Sequence, residues 1–134
     1  MKTSELIGPA LDWAVAKCVW TDRPIVAKAG CRISVPVSPD SDPNDSTLRF
    51  FYEPSIDWSQ GGPIIEREKI SAWLHEDGTQ YRAAPKEWML VDPESEEFLD
   101  MRDAEVGPTP LIAVMRCLCA SKLGDEVEIP EELK

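Results

Sequence analysis

The chain is short of the residues that metal centres and many catalytic sites depend on. It has one histidine, His75, and its four cysteines form no Cys-x-x-Cys pair. A zinc site needs clustered nitrogen and sulfur ligands, so this spacing argues against a metal. No Gly-x-Ser-x-Gly elbow and no Walker-type loop occurs. No apolar run approaches the ~20 residues needed to span a bilayer. The start, Met1-Lys2-Thr3-Ser4-Glu5, lacks the apolar stretch of a secretory signal. A cytosolic setting is therefore expected, with Cys18, Cys31, Cys117 and Cys119 as free, mostly buried thiols. Positive charge is also scarce: 14 Lys and Arg stand against 25 Asp and Glu, a net charge of −11. Without a basic stripe to neutralise phosphates, direct nucleic-acid binding is disfavoured.

What remains is sufficient for a folded core. The chain has 134 residues, of which 43% are hydrophobic, enough for one domain without staples. The acidity is local. Residues 92–105 hold seven acids and one base, and residues 125–134 hold five acids and one base. The rest of the chain is nearly neutral. We expect a single domain over residues 1–126 followed by an acidic tail over residues 127–134. Charge runs of this kind usually form a solvated face, and they also suit a basic protein partner.

Helix and strand signals alternate irregularly. Leu11, Ala14, Val15 and Cys18 recur at the spacing of one buried helix face, after Gly8-Pro9. Arg32-Ile33-Ser34-Val35 and Leu48-Arg49-Phe50-Phe51-Tyr52 read as strands joined by a long polar connection. A second helix is expected from Gly62-Pro63 to about Ile70. Ser71-Ala72-Trp73-Leu74 and Thr79-Gln80-Tyr81-Arg82-Ala83 then pair across the turn signal Asp77-Gly78, and Glu87-Trp88-Met89-Leu90-Val91 extends the sheet or lines its edge. Residues 92–105 read as a surface loop. The last helix is the clearest, with Thr109 as N-cap, Pro110 as first residue, and an apolar surface wide enough to be buried on several sides. The pattern implies an α+β fold, a small and mainly antiparallel sheet packed with about three helices in a sandwich-like arrangement.

The stretch Tyr52-Glu53-Pro54-Ser55-Ile56-Asp57-Trp58-Ser59-Gln60-Gly61-Gly62-Pro63 stands out. A glycine pair opening a helix offers unpaired N–H donors and partial positive charge to an anion. Ser55 and Ser59 add hydroxyls, Tyr52 and Trp58 add stacking faces, and Arg67 adds charge. Thr109 joins the set if both helix starts share one end of the sheet. The alternative is structural: Pro63 removes a donor, and Trp58 staples the helix by packing on Ile64 or Ile65. His75 sits beside an Asp-Gly turn, where a solvent-exposed side chain is expected, and a general base needs both a partner and a cleft. Glu66 and Glu68 face apart on a helix, and the apolar surroundings of Cys117 and Cys119 leave their thiols inert.

Three blocks carry a resemblance. They are Met1–Leu6 with Ala10–Ala16, then Tyr52 to Glu66, then Gly107–Ala113 with Met115-Arg116 and Ala120 to Val127. Together they resemble the NinX-like family of tailed-phage proteins. That resemblance implies an accessory phage protein acting in the cytoplasm of the infected bacterium, and it brings no catalytic residue and no cofactor. The resulting expectation is a non-enzymatic protein that acts by binding. Its leading form is sequestration of a nucleotide-like or other phosphate-bearing small molecule by Tyr52, Ser55, Trp58, Ser59, Gly61, Gly62, Arg67 and Thr109. The alternative is an acidic inhibitor of a host defence or DNA-binding protein. A homodimer is the default assembly.

Overall fold

A computed structural model describes residues 1–21, 25, 33–36, 38, 40, 49–75, 77–85 and 105–133. Three helices, α1 (Gly8–Val19), α2 (Trp58–Glu68) and α3 (Pro110–Leu123), combine with five short strands. Strands β1 (Ser34–Pro36) and β2 (Arg49–Phe51) form an antiparallel pair. Strands β3 (Ile70–Leu74), β4 (Tyr81–Pro85) and β5 (Glu105–Gly107) form a second antiparallel sheet in the order β3-β4-β5. The fold is α+β, with two small sheets where the sequence suggests one. Pro36 ends β1 from within instead of stopping it from outside, opposite Arg49. The expected strand at residues 87–91 and most of the expected loop at residues 92–105 fall outside the described residues.

α3 is the centre of the molecule. Leu111 to Met115 and Cys117 to Cys119 are all buried, so its full circumference is covered. The second sheet, α1 and α2 all pack on it. Thr109 caps it as expected, its Oγ1 accepting the Ile112 N–H at 3.1 Å. Covering a helix on every side demands small residues where backbones meet. α1 supplies Ala10, Ala14 and Ala16, all buried. β5 supplies Gly107, where an added Cβ would lie 2.6 Å from the Ala113 nitrogen. α2 supplies Gly61, where an added Cβ would lie 2.6 Å from Leu111 Cδ2 and 2.7 Å from the Pro54 carbonyl.

The chain ends are fastened to each other. Thr3 is buried and donates its N–H to the Asp125 carbonyl at 2.9 Å, with its hydroxyl between the Gly124 and Asp125 carbonyls. Met1 and Val127 exchange backbone hydrogen bonds of 3.0 Å. Ile129 is buried and Leu133 packs on the core, so residues 127–133 lie against the body. Arg116 ties the same region to α3. Its Nε donates to the Leu6 carbonyl and its Nη1 to the Val106 carbonyl, both at 2.8 Å.

The contrast between neighbouring glycines tests the packing of α2. Gly61→Ala is expected to destabilise by about 1–3 kcal/mol, the usual cost of overfilling a packed contact. At Gly62 nothing lies within 4 Å of an added Cβ, so Gly62→Ala is expected to be neutral or to stabilise by up to ~1 kcal/mol through helix propensity. Urea denaturation of both variants measures the difference. Equal effects would show that α2 does not press on α3 as described.

Candidate functional site

The segment from Tyr52 to Asp57 joins β2 to α2 and is held from three directions. The Tyr52 N–H donates to the Ile33 carbonyl at 2.9 Å. Gln60 reaches back from α2, its Oε1 accepting the Glu53 N–H at 2.6 Å and its Nε2 donating to the Phe51 carbonyl at 2.8 Å. From α1, the Asp12 carboxylate accepts the Ser55 N–H at 3.0 Å. Ile56 and Asp57 both donate N–H groups to the Glu53 carbonyl, which closes the turn.

α2 begins at Trp58, four residues earlier than the glycine pair suggests. Asp57 is the N-cap, and its Oδ1 accepts the Ser59 N–H at 2.9 Å and the Ser59 hydroxyl at 2.6 Å. These bonds hold the Asp57 carboxyl below its usual range. The Gly61 N–H donates to the Asp57 carbonyl at 2.8 Å. The expected anion cradle at Gly61-Gly62 is therefore absent: the Gly61 amide is spent within the helix, and a carboxylate already occupies the helix start. Gly61 serves the close approach to Leu111, and Pro63 sits inside α2.

The expected site residues divide. Tyr52 is 3% exposed and meets Trp20 and Phe50 edge to face, at 5.8 Å and 6.2 Å between ring centroids. It is a core aromatic whose hydroxyl burial pushes up in pKa, and it offers no stacking face to a ligand. Arg67 is exposed beside Glu68 at the far end of α2, nine residues and about 13 Å along the axis from Trp58. Ser59 is exposed and engaged with Asp57. Gly62 is half-buried, with nothing within 4 Å of an added Cβ, and is not among the residues that line the hollow shared by the remaining three. Ser55, Trp58 and Thr109 do come together. With Ile56, Pro110, Leu111 and Ile112 they line a hollow of about 200 Å³ between the Ser55–Trp58 turn and the start of α3.

The lining of this hollow is mostly apolar. Among the described residues, none of the seven that line it carries a charge. Trp58 is 57% exposed and Ile56 66% exposed, so the two form an apolar rim. Trp58 is not the staple on Ile64 or Ile65 that the sequence allows. The Thr109 hydroxyl accepts from Ile112 and remains exposed. Ser55 is 2% exposed, and its hydroxyl makes no hydrogen bond of good geometry, although it lies near enough to Asp12 to favour the ionised carboxyl.

The family model described as Bacteriophage P22, NinX matches residues 2–122. The chain belongs to the phage NinX family. No curated protein matches it. The matched span takes in every residue that lines the hollow, together with Asp12, so the site lies within the NinX region of the chain.

Other candidates in this NinX chain are engaged locally. In the β3–β4 turn, Arg82 Nη2 lies 2.8 Å from His75 Nε2, while Nδ1 faces the Asp77 N–H at 3.2 Å and its carboxylate at 3.3 Å. Both ring nitrogens thus have partners within the hairpin. Among the described residues no group of three His, Cys, Asp or Glu side chains is placed to hold a metal ion. No helix among them is long and apolar enough to cross a membrane.

The sequence reading misses Ile56, Pro110, Leu111 and Ile112 in the lining of the hollow, and Asp12 behind it. Asp12 is an acid inside the apolar run Ala10–Ala16, and that mismatch is its signal. Asp57 with Gln60 three residues on has the spacing of a capping box, which would have placed the helix start correctly.

Burial raises the Asp12 carboxyl to about 6 from its ordinary 3.8, against the opposing pull of Ser55. Between those two values the folded protein holds a proton that the unfolded chain has released. Stability from this group is therefore present in acid and lost as pH rises towards 6, on the order of 3 kcal/mol at most. Asp12→Asn keeps an acceptor for the Ser55 N–H and carries no charge. It is expected to be more stable than the parent at pH 7 by about 1–2 kcal/mol. The gap should close below pH 4. Urea unfolding across this range checks it, and parallel stability curves would refute the assignment.

Proposed function

We propose that this NinX-family protein is a non-catalytic accessory protein that works by binding a basic host protein in the cytoplasm of the infected bacterium. The observation that carries the reading is the exposed pair Ile56 and Trp58 on the rim of an uncharged hollow. Exposed tryptophans beside apolar hollows are typical anchors of protein interfaces. At about 200 Å³ the hollow suits one inserted side chain better than a whole nucleotide, since small-molecule sites run to ~300–1,000 Å³. A phosphate-bearing guest would meet no cation among the described residues that line it, on a protein of net charge −11. A basic partner meets the opposite situation. A Lys or Arg stacked on Trp58 would lie beside the Asp57 carboxylate, and cations favour both neighbours.

The test is affinity capture from host lysate with the parent protein, Trp58→Ala and Thr109→Ala, followed by titration of the captured partner. Trp58→Ala is expected to weaken binding by at least about 2 kcal/mol, roughly 30-fold, as an anchor residue does. Because Trp58 is exposed, the variant should keep the parent's circular dichroism. Neutralising the acids of residues 92–105 is expected to slow association and to flatten its salt dependence. Calorimetry with nucleotides and cyclic dinucleotides is expected to be silent. A nucleotide that binds and is lost in Trp58→Ala, or a partner indifferent to Trp58, would overturn the reading.

A further inference from the structure

The hollow beside Trp58 holds a polar atom that the fold leaves unanswered. Ser55 lines it and is 2% exposed. Among the described residues, its buried Oγ finds no hydrogen-bond partner of good geometry. The backbone fixes Ser55 in this position: its N–H is held by Asp12 Oδ1 at 3.0 Å, and the Glu53 carbonyl closes the turn that follows. A serine hydroxyl has one donor and two acceptor positions, so with its proton turned towards the Asp12 carboxylate it still has lone pairs to offer. A buried polar atom without a partner is unfavourable. In the wall of a hollow, such an atom favours a guest that brings the missing donor over one that lacks it. The other side chains of the lining make no such demand. Ile56, Trp58, Pro110, Leu111 and Ile112 present apolar surface, and the Thr109 hydroxyl already accepts the Ile112 N–H.

This arrangement selects among inserted side chains. Ser55 Oγ is buried while Ile56 and Trp58 on the rim are exposed, so the guest needs an apolar body with a hydrogen-bond donor at its tip. An aliphatic or phenylalanine side chain would leave Ser55 Oγ unpaired. A lysine ammonium brings a full charge and three donors to a lining whose only buried hydroxyl is that of Ser55, and an uncompensated charge is costly to bury. Cations suit the exposed face of Trp58 instead. A carboxylate or phosphate would come up against the Asp12 carboxylate behind Ser55. An indole carries its N–H on the flank of the ring, whereas a phenol carries its O–H at the end. We propose that the side chain inserted into the hollow is a tyrosine of the host partner, its ring against the apolar lining and its hydroxyl donating to Ser55 Oγ. The assignment rests on the reading that Ile56 and Trp58 form the rim of a protein-binding site. Trp58 then supplies contact area to any apolar guest, and Ser55 distinguishes tyrosine from phenylalanine.

The experiment is an amide NMR titration of the full chain with three acetylated, amidated peptides of equal charge: Lys-Tyr-Lys, Lys-Phe-Lys and Lys-Ala-Lys. Lys-Tyr-Lys is expected to shift the Ser55 and Ile112 amides and the Trp58 indole. It should bind at least about fivefold more tightly than Lys-Phe-Lys, the worth of one net hydrogen bond. Lys-Ala-Lys, with the charge but no ring, is expected to bind more weakly than either. Ser55→Ala keeps the N–H that Asp12 holds, and in that variant the preference for tyrosine over phenylalanine should vanish. The comparison of peptides on the parent protein does not depend on whether the variant folds. Equal affinity for the tyrosine and phenylalanine peptides, a tyrosine preference that survives Ser55→Ala, shifts remote from Ser55, or no advantage over Lys-Ala-Lys would each overturn the assignment. The lysate capture reads separately. A captured partner that depends on Trp58 upholds the binding reading even where the tyrosine assignment fails, and a partner indifferent to Trp58 removes that reading whatever the peptides do.

Discussion

The burial of α3 on all sides is the constraint on which the other features depend. A helix with Leu111–Met115 and Cys117–Cys119 buried meets solvent chiefly in its last turn, at Ser121, Lys122 and Leu123, so along the rest of its length each neighbour must come close to its backbone. Gly107 and Gly61 mark two such approaches, and the alanines of α1 mark a third. The same constraint bears on the hollow beside Trp58. The hollow lies at the start of α3, where Pro110, Leu111 and Ile112 face the Ser55–Trp58 turn.

The Ser55–Trp58 turn has little core of its own, and polar bonds fix it instead. Asp12 and Gln60 hold it from opposite helices through its backbone N–H groups. Burying the Asp12 carboxylate is unfavourable, as its raised pKa shows, and a buried charge is tolerated only where hydrogen bonds compensate. The consequence is a turn whose backbone is committed and whose side chains are not. Ile56 and Trp58 are left pointing outward because the groups that secure their segment belong to the main chain. A rigid turn with exposed apolar side chains loses little conformational entropy when a partner covers it.

Much of this architecture was legible in the sequence. The helical period at Leu11, Ala14, Val15 and Cys18 matches α1, and Thr109-Pro110 marks the start of α3 with its cap. The β1–β2 and β3–β4 pairings follow from alternation and from Asp77-Gly78. The candidate site was less legible, because its chemistry rests on contacts between distant segments. Gly61-Gly62 signals permissive backbone equally for an open helix start and for a tight helix crossing, and only Leu111 on the far side decides between them. Tyr52 and Trp58 are alike in composition terms, yet one faces Trp20 and the other faces solvent. The bond from Ser55 to Asp12 spans 43 positions, beyond the reach of any local pattern.

The charge distribution bears on the kind of partner that the Trp58 hollow can receive. An uncharged depression on a neutral protein would accept guests of either sign. Here the acidic run of residues 92–105 ends at Glu105 in β5, four residues before Thr109 on the rim of the hollow. Glu105 itself is partly buried, with Arg116 opposing and Asp125 reinforcing the rise in its pKa. Arg116 is committed to the Leu6 and Val106 carbonyls, so it does not lend its charge to the surface. In sequence the acids of residues 92–105 precede the segment that leads into the hollow, and on the proposed reading they disfavour a phosphate and favour a cationic partner. A cationic surface would be drawn to the same region and then find Trp58 to stack upon. Long-range attraction and short-range fit then select the same class of partner, which is the condition for charge to contribute specificity as well as rate.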